Sequence, residues 1–215
     1  MERIAPPARH ADMLKAIALN CTLKADTAEP SSTDAMIAVL KTAFEKQDVE
    51  ITETVRVAAL DIKPGVTSDE GKGDQWPALR EKILAADILI FGGPIWMGQI
   101  SSIAKRVLER MDAFISETDD QGRMPSYGKV AVAAIVGNED GAHFSSAQLF
   151  QALNDVGYTI PAGGVCYWVG EAMGSTDFQD LDDTPDKVDE TAAMLAGNAA
   201  HLARLLKENP YPGEG

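Results

Sequence analysis

The chain has 215 residues, 45% of them hydrophobic, and a formal net charge of −14 at pH 7. This length and composition suit one domain with a sizeable core. The acidic balance argues against nucleic acid as a partner, because phosphate backbones are normally met by a basic surface. The two cysteines, Cys21 and Cys166, lie far apart and the three histidines are scattered, so neither a dithiol motif nor a metal cluster is indicated.

The first half of the chain predicts two strands and two helices. Residues 1–13 are expected to form a flexible leader that contains Pro6 and Pro7 and lacks the apolar core of a secretory signal. A buried strand is predicted at 14–20, an amphipathic helix at 31–47 and an alternating strand at 49–60. A polar loop over 61–74 then leads to a short helix, "WPALREKILAA".

The second half continues the alternation. "DILIF" and "KVAVAAIVG" are fully apolar, as in strands covered on both faces, and helical spacing begins at Ile100. A helix is predicted from "AHFSSAQLFQALNDVG", a last strand within 158–169 and a closing helix at 184–207. We expect a single domain over 14–208 with a frayed tail over 209–215. No apolar run is long enough to span a bilayer, which predicts a cytoplasmic protein.

This alternation predicts an α/β fold, a flavodoxin-like three-layer sandwich. Its five-stranded parallel sheet would have the order 2-1-3-4-5, with helices on both faces. Ligands of such sheets bind beyond the carboxyl ends of the strands, where the strand order reverses. The loops after the first, third and fourth strands, "NCTLKADTAEPSST", "GGPIWMGQIS" and "GNEDGAHF", are therefore the candidate site.

The first loop combines hydroxyl groups with the start of a helix, whose free N–H groups favour an anion. Asp26 and Glu29 would repel that anion unless they point away, and the serines are explained equally well as ordinary helix caps. The candidate anion ligands are Asn20, Thr22, Lys24, Ser31, Ser32 and Thr33.

The second loop combines glycines, which permit close backbone approach, with the apolar side chains of Ile95, Trp96 and Met97. This pattern suits a flat aromatic ligand, although a tryptophan is more often part of a core or an interface. The third loop is short and polar. His143 in it is either a donor to a ligand or a solvent-facing residue at a helix start.

Several catalytic motifs are absent from the sequence. "GVTSDEGK" at 65–72 departs from the spacing of a nucleoside-triphosphate loop, no GxGxxG follows the first strand, and no GxSxG occurs. The acidic run "DFQDLDDTPD" is expected to be a solvated loop rather than a cation site. Tyr167 and Trp168 either close a ligand pocket or pack in the ordinary way.

The stretches "GGPIWMGQISSIAKRVLERMD" and "VGNEDGAHFSSAQLFQALNDVGYTIP" resemble the flavodoxin-like NAD(P)H-dependent FMN reductase and oxidoreductase family. The similarity runs from about residue 14 to about residue 170. The resemblance implies a noncovalent FMN and a homodimer or homotetramer with the flavin near an interface. The first loop departs from the family pattern, since it has no glycine and contains two acids.

By position, the resemblance implies three groups of FMN contacts. The phosphate would be held by Asn20, Thr22, Lys24, Ser31, Ser32 and Thr33. The isoalloxazine ring would be lined by Pro94, Ile95, Trp96, Met97 and Gly98, and its other edge would meet Asn138, Glu139, Asp140, Gly141 and His143.

The implied reaction is hydride transfer from NAD(P)H through the flavin to a small acceptor such as a quinone or free flavin, with no catalytic side chain required. Backbone N–H groups of the Trp96–Gly98 turn are expected to stabilise charge on the reduced ring. Two alternatives remain open: a non-enzymatic electron carrier, and a structural or regulatory relative that has lost the flavin.

Overall fold

The computed structural model describes residues 13–213, so the predicted leader, apart from Met13, and the last two residues lie outside the described part. The strands are β1 (Leu14–Asn20), β2 (Val49–Arg56), β3 (Ile88–Trp96), β4 (Gln99–Ile100), β5 (Val130–Gly137) and β6 (Val165–Val169). The α-helices are α1 (Ser32–Glu45), α2 (Trp76–Ala85), α3 (Ser102–Met111), α4 (Ala142–Asp155) and α5 (Asp186–Glu208). No helix in this part of the chain is long and apolar enough to cross a membrane.

Within residues 13–213, five parallel strands form the sheet in the order β2-β1-β3-β5-β6, while the short β4 pairs antiparallel with the end of β3. With β4 set aside, this is the predicted order, and the predicted flavodoxin-like fold is confirmed. The order reverses between β1 and β3. The chain leaves β1 for α1 and β3 for α3, and these helices cover opposite faces of the sheet.

The core lies in two layers, one on each face of the sheet. Leu40 of α1 and Leu195 of α5 belong to one layer, and Leu79, Val107 and Leu149 of α2, α3 and α4 belong to the other. Because both faces are covered, the central strands carry apolar side chains at nearly every position, which explains their lack of alternation.

β3 is longer than predicted. The sequence predicted that the strand ends at Phe91 and a loop begins at Gly92, but Gly93 pairs with Ile135 and Pro94 pairs with Val136, so the strand continues to Trp96. Gly92 is needed because α1 packs closely on the strand: a Cβ there would lie 3.0 Å from side-chain atoms of α1. The reversal of the chain comes later, at Met97–Gly98.

Two other elements are shorter than predicted. β2 ends at Arg56 and is followed by a 3-10 turn over Val57–Ala59, and β6 begins only at Val165. Beyond α5, the ring of Tyr211 packs edge-on against Tyr127 with 5.9 Å between centroids. Its hydroxyl lies 2.9 Å from that of Thr159, so this part of the tail contacts the domain.

Candidate functional site

A cavity of about 630 Å³ opens at the carboxyl edge of the sheet, beside the point where the strand order reverses. Its volume falls in the range of small-molecule sites, roughly 300–1,000 Å³. The structure brings the three predicted loops together there. The predicted residues in its wall are Thr22, Lys24, Ser31, Ser32, Thr33, Pro94, Ile95, Trp96, Met97, Asn138 and Glu139.

The amino-terminal turn of α1 forms the polar end of the cavity. Ser31 caps the helix, because its hydroxyl accepts a hydrogen bond of 3.2 Å from the N–H of Asp34. Within the described chain, the N–H groups of Ser32 and Thr33 have no hydrogen-bond partner. These free donors, at the positive end of the helix dipole, are suited to an anion.

Asn20 and Ser31 form hydrogen bonds within the protein at the polar end of the cavity. Asn20 is fully buried, donates to the Ser31 hydroxyl at 3.1 Å and accepts from the N–H of Thr22 at 2.9 Å. The Ser31 hydroxyl donates in turn to Asp34 at 3.1 Å. Its single proton is therefore used inside the protein. Asn20 and Ser31 therefore hold the first loop and the start of α1 in place, and they do not donate hydrogen bonds to a ligand.

The acidic residues of the first loop have partners of their own. Lys24 lies 3.1 Å from the carboxylate of Glu29 and also donates to the carbonyl of Pro30 at 2.9 Å. The carboxylate of Asp26 accepts from the N–H of Ala28 at 2.9 Å. Neither acid lines the cavity, so the repulsion that the sequence raised as an objection is reduced.

A β-hairpin forms the opposite end. Trp96 pairs with Gln99 across the turn, and Met97 and Gly98 have φ of 54° and 72°, as a type I′ turn requires. This conformation is normal for glycine but unfavourable for Met97, whose side chain is 85% exposed. Trp96 is 52% exposed at the same rim. The hairpin therefore holds two large apolar side chains at the mouth of the cavity.

Glu139 joins the hairpin to the loop after β5 and corrects one prediction. Its carboxylate accepts the N–H of Met97 at 2.9 Å and the N–H of Gly98 at 3.1 Å. These are two of the N–H groups that were expected to face a reduced ring. In this structure they are already satisfied, so a ligand can use them only after Glu139 moves.

The remaining predicted residues do not line the cavity. The backbones of Gly98 and Gly141 touch, since a Cβ on Gly141 would lie 2.6 Å from the Gly98 carbonyl oxygen. Asp140 is exposed and accepts the N–H of Gly141 at 2.7 Å. His143 lies exposed on α4 with its ring 5.3 Å from that of Tyr167. Because α4 begins at Ala142, it carries this part of the third loop away from the site.

A fourth wall comes from the end of β6 and the segment that follows it, and sequence reasoning raised only Trp168 there, as one of two alternatives. Trp168 of β6 packs against Phe178 with 5.5 Å between ring centroids. The backbone N–H of Gln179 donates to the Ser32 hydroxyl at 3.3 Å, which ties the segment to α1. The run at 177–186 was predicted to be solvated, and the buried Phe178 within it was the available signal to the contrary.

The chemistry of the site is that of a binding surface. Cys21 is buried in the core and does not line the cavity, and burial raises the pKa of its thiol, which disfavours a nucleophilic role. The described residues contain no cluster of His, Cys, Asp and Glu arranged to hold a metal ion. Hydroxyl and N–H donors lie at the α1 end, and Ile95, Trp96 and Met97 lie at the hairpin end. This donor set fits FMN, which joins a phosphate to a planar ring.

The family model described as "NADPH-dependent FMN reductase" matches residues 14–174. The chain belongs to the NADPH-dependent FMN reductase family. The match covers β1 to β6 and hence all three predicted loops of this FMN reductase family member. It ends before Asp177–Gln179, so part of the fourth wall lies outside the matched region.

Two curated relatives are similar along most of the chain. The 8-demethyl-8-aminoriboflavin-5′-phosphate synthase of Streptomyces davaonensis is 34% identical over 208 residues, which is 92% of this chain and 80% of that protein. A protein named divalent metal cation transporter MntH, from Mycobacterium bovis, is 34% identical over 210 residues. The chain spans only 30% of the length of that second protein.

Solved structures agree with the family assignment. The crystal structure of RosB with a bound intermediate, 8-demethyl-8-formylriboflavin-5′-phosphate, has a TM-score of 0.84 and 32% identity, covering 94% of this chain and 83% of that one. A flavone reductase has a TM-score of 0.63 at 16% identity, covering 93% of this chain and 66% of that one. The second likeness shows the shared fold alone. Together with the family match, these findings place the protein in a family of flavin-dependent oxidoreductases.

Proposed function

We propose that the protein binds FMN at the carboxyl edge of the sheet and passes hydride from NAD(P)H to a small acceptor such as a quinone or free flavin. The observation that carries this proposal is a cavity that combines a helix amino terminus with free N–H groups and an apolar, aromatic end. When bound, FMN supplies the redox chemistry, so the protein has only to bind and orient it.

The polar end would bind the phosphate. The N–H groups of Ser32 and Thr33, the hydroxyls of Thr22 and Ser32, and the ammonium of Lys24 all belong to this wall. The helix dipole and charge-assisted hydrogen bonds both favour a phosphate at that place.

The apolar end would orient the ring. Ile95 is 4% exposed and forms a fixed floor, while Trp96 and Met97 stand at the rim. Glu139 holds the hairpin that carries them in its turn. The opening beside these side chains would admit a second planar molecule, which suits both the nicotinamide donor and an aromatic acceptor.

The proposal covers NADH and NADPH together. Among the described residues that line the cavity, Lys24 is the one cation, and it lies at the phosphate end. No positive group at the ring end is therefore available to select a 2′-phosphate. We also propose a cytoplasmic homodimer or homotetramer, because exposed Met97 and Met173 near the mouth would be covered in such an assembly.

A second candidate function follows from the curated relative and the RosB structure. The names of both describe chemistry on riboflavin 5′-phosphate itself. The flavin would then be a substrate that leaves altered, rather than a cofactor that returns unchanged.

One experiment separates these functions. The apoprotein is titrated with FMN by absorbance, and NADH or NADPH oxidation is followed with a quinone or free FMN as acceptor. The flavin is then recovered for mass spectrometry. Turnover with unchanged FMN supports the reductase. An altered flavin mass supports the second candidate, and tight binding without turnover indicates an electron carrier.

Matched lysine variants test the site. Lys24→Met should weaken FMN binding by about tenfold, because a charge-assisted contact is lost. Lys41→Met removes an exposed lysine further along α1 and should leave binding unchanged. An apoprotein that does not bind FMN refutes the proposed function.

A further inference from the structure

We propose that Arg56, which does not line the cavity, is the positioning residue that sets the affinity of the first loop for a phosphate. This inference rests on the proposed function and concerns the part of the site where the sequence departs from its family. It explains how a loop with no glycine and two acidic residues can still receive an anion.

Arg56 is the last residue of β2, and it is only 8% exposed beneath the first loop. One terminal nitrogen of its guanidinium donates to the carbonyls of Lys24 at 3.2 Å, Asp26 at 3.0 Å and Glu29 at 3.3 Å. The other donates to the carbonyl of Glu29 at 3.2 Å. Three carbonyls within residues 24–29 are thus gathered around one cation.

Apart from Arg56, the loop is held by the contacts of Lys24 and Asp26 described above and by little of its own backbone. Within residues 22–30 the described backbone makes one hydrogen bond of its own, from the N–H of Glu29 to the carbonyl of Asp26 at 3.2 Å. In a trans peptide the N–H points away from the preceding carbonyl. Carbonyls turned toward Arg56 therefore turn the N–H groups of Ala25 and Thr27 away from it, and neither has a partner in the described chain.

Arg56 also controls the charge at the end of α1. Asp34 lies in the first turn of that helix, where a negative charge would repel a phosphate at the same N-terminus. Arg56 forms an ion pair with this carboxylate, which also accepts from Asn20 and Ser31. The guanidinium therefore both shapes the loop and neutralises an acid in the first turn of α1.

A lysine cannot replace these contacts. Its ammonium preserves the charge opposite Asp34, but it lacks the planar fork that reaches several carbonyls at once. Removing the positive charge leaves Asp34 uncompensated, and replacing Asp34 by asparagine at the same time removes that repulsion. The variants Arg56→Met, Arg56→Lys and Arg56→Met/Asp34→Asn therefore separate shape from charge.

The test compares FMN with riboflavin, which shares the ring and the ribityl chain but has no phosphate. Dissociation constants for both are measured by absorbance or fluorescence titration of the apoprotein. Hydrogen exchange of residues 22–31 is followed in the same apoproteins. Lys82→Met is the matched control, because Lys82 pairs with Glu53 of β2 on the exposed surface, 2.9 Å apart.

We expect Arg56→Met to weaken FMN binding by about 30-fold and riboflavin binding by less than about threefold. Arg56→Lys should lose about tenfold for FMN alone, and the double variant should recover part of the loss seen in Arg56→Met. Exchange at 22–31 should accelerate in all three variants. Lys82→Met should match the wild type in every measurement.

The outcomes distinguish the two proposals. If wild-type protein binds FMN but Arg56→Lys keeps both the FMN-to-riboflavin ratio and the slow exchange, the role of Arg56 is refuted and the proposed function stands. Equal losses for both ligands also refute it, because they indicate general destabilisation. Wild-type protein that binds neither ligand refutes the proposed function and this inference together. Should Arg56→Met fail to fold, Arg56→Lys decides the question.

Discussion

Replacing Arg110 by methionine should destabilise this protein severely, although Arg110 lies outside the cavity. Its side chain is fully buried on α3 and pairs with the equally buried Asp74 at 2.8 Å. It also donates to the carbonyl of Thr67 at 2.9 and 3.1 Å and to that of Lys63 at 2.9 Å. The guanidinium lies 5.6 Å from the ring centroid of Trp76. One cation thus fastens the loop between β2 and α2.

The size of the destabilisation follows from the Asp74 carboxylate, which stays buried after Arg110 is replaced. Methionine fills a similar volume but leaves the Asp74 carboxylate as an unpaired buried charge, which costs about 3–5 kcal/mol. For a domain of this size each kcal/mol lowers the melting temperature by roughly 2–4 °C, so we expect a fall of about 6–20 °C. Arg110→Met/Asp74→Asn should lose less than the single variant, because no charge is then left unpaired.

The same pair predicts a pH dependence. Burial alone would raise the pKa of Asp74, but hydrogen bonds from Arg110 and from the N–H groups of Glu70, Trp76 and Lys63 hold that pKa well below its usual range. Because the folded pKa lies below the unfolded value of about 3.9, the stabilisation is fully present above that pH. It is lost as the pH falls below about 4 toward the folded pKa. Asp74→Asn should remove this acid-sensitive contribution.

Urea unfolding followed by far-ultraviolet circular dichroism, at pH 7 and at about pH 3, measures the differences in unfolding free energy, and thermal unfolding measures the fall in melting temperature. Lys105→Met is the control on the same helix, since Lys105 and Glu109 are exposed and 3.9 Å apart. That pair should contribute less than about 1 kcal/mol. A loss below about 1 kcal/mol for Arg110→Met would refute the argument from an unpaired buried charge.

The remaining predictions concern the cavity and the cysteines. Trp96→Ala should weaken FMN binding about tenfold in an absorbance titration, with little loss of stability because Trp96 is 52% exposed. Glu139→Gln removes a negative charge beside the ring end and should raise the midpoint potential of bound flavin by roughly 30 mV in a redox titration. Cys21 and Cys166 should not react with a thiol reagent until urea unfolds the protein. Burial raises the pKa of both thiols, that of Cys166 to about 12.

Each of these predictions has its own control. Phe144→Ala removes an exposed aromatic residue outside the cavity wall and should not affect FMN binding. An unchanged potential in Glu139→Gln would mean that its charge is not felt at the flavin. Rapid labelling of native protein would show that the chain opens around Cys21 or Cys166, against their complete burial.

The fold and the general position of the site could be predicted, because both depend on local patterns in the sequence. The apolar runs at 14–20 and 129–137 identified central strands, and their alternation with helices fixed a parallel sheet with its ligand edge. Most of the predicted ligand residues line the cavity for the same reason, since the carboxyl ends of parallel strands share one edge. Their role as FMN ligands remains a prediction.

The predictions failed where an interaction joins distant residues. Gly92–Pro94 was predicted to begin a loop, yet pairing with β5 makes it part of the strand. The fourth wall around Phe178 is brought to the cavity by packing against Trp168 and α1.

The sequence alone determined the class of fold, the sheet edge that carries the site and the chemical character of the two ends of the cavity. Hydrophobic periodicity and turn residues are local properties, so they can be read without the tertiary structure. The tertiary structure alone decided which polar groups are free. Ser31 and Glu139 offered plausible ligand contacts in sequence, but their hydrogen bonds are made with Asp34 and with the hairpin N–H groups. Arg56 belongs to no sequence motif. Its proposed positioning role depends on the tertiary structure, which places the end of β2 beneath the first loop.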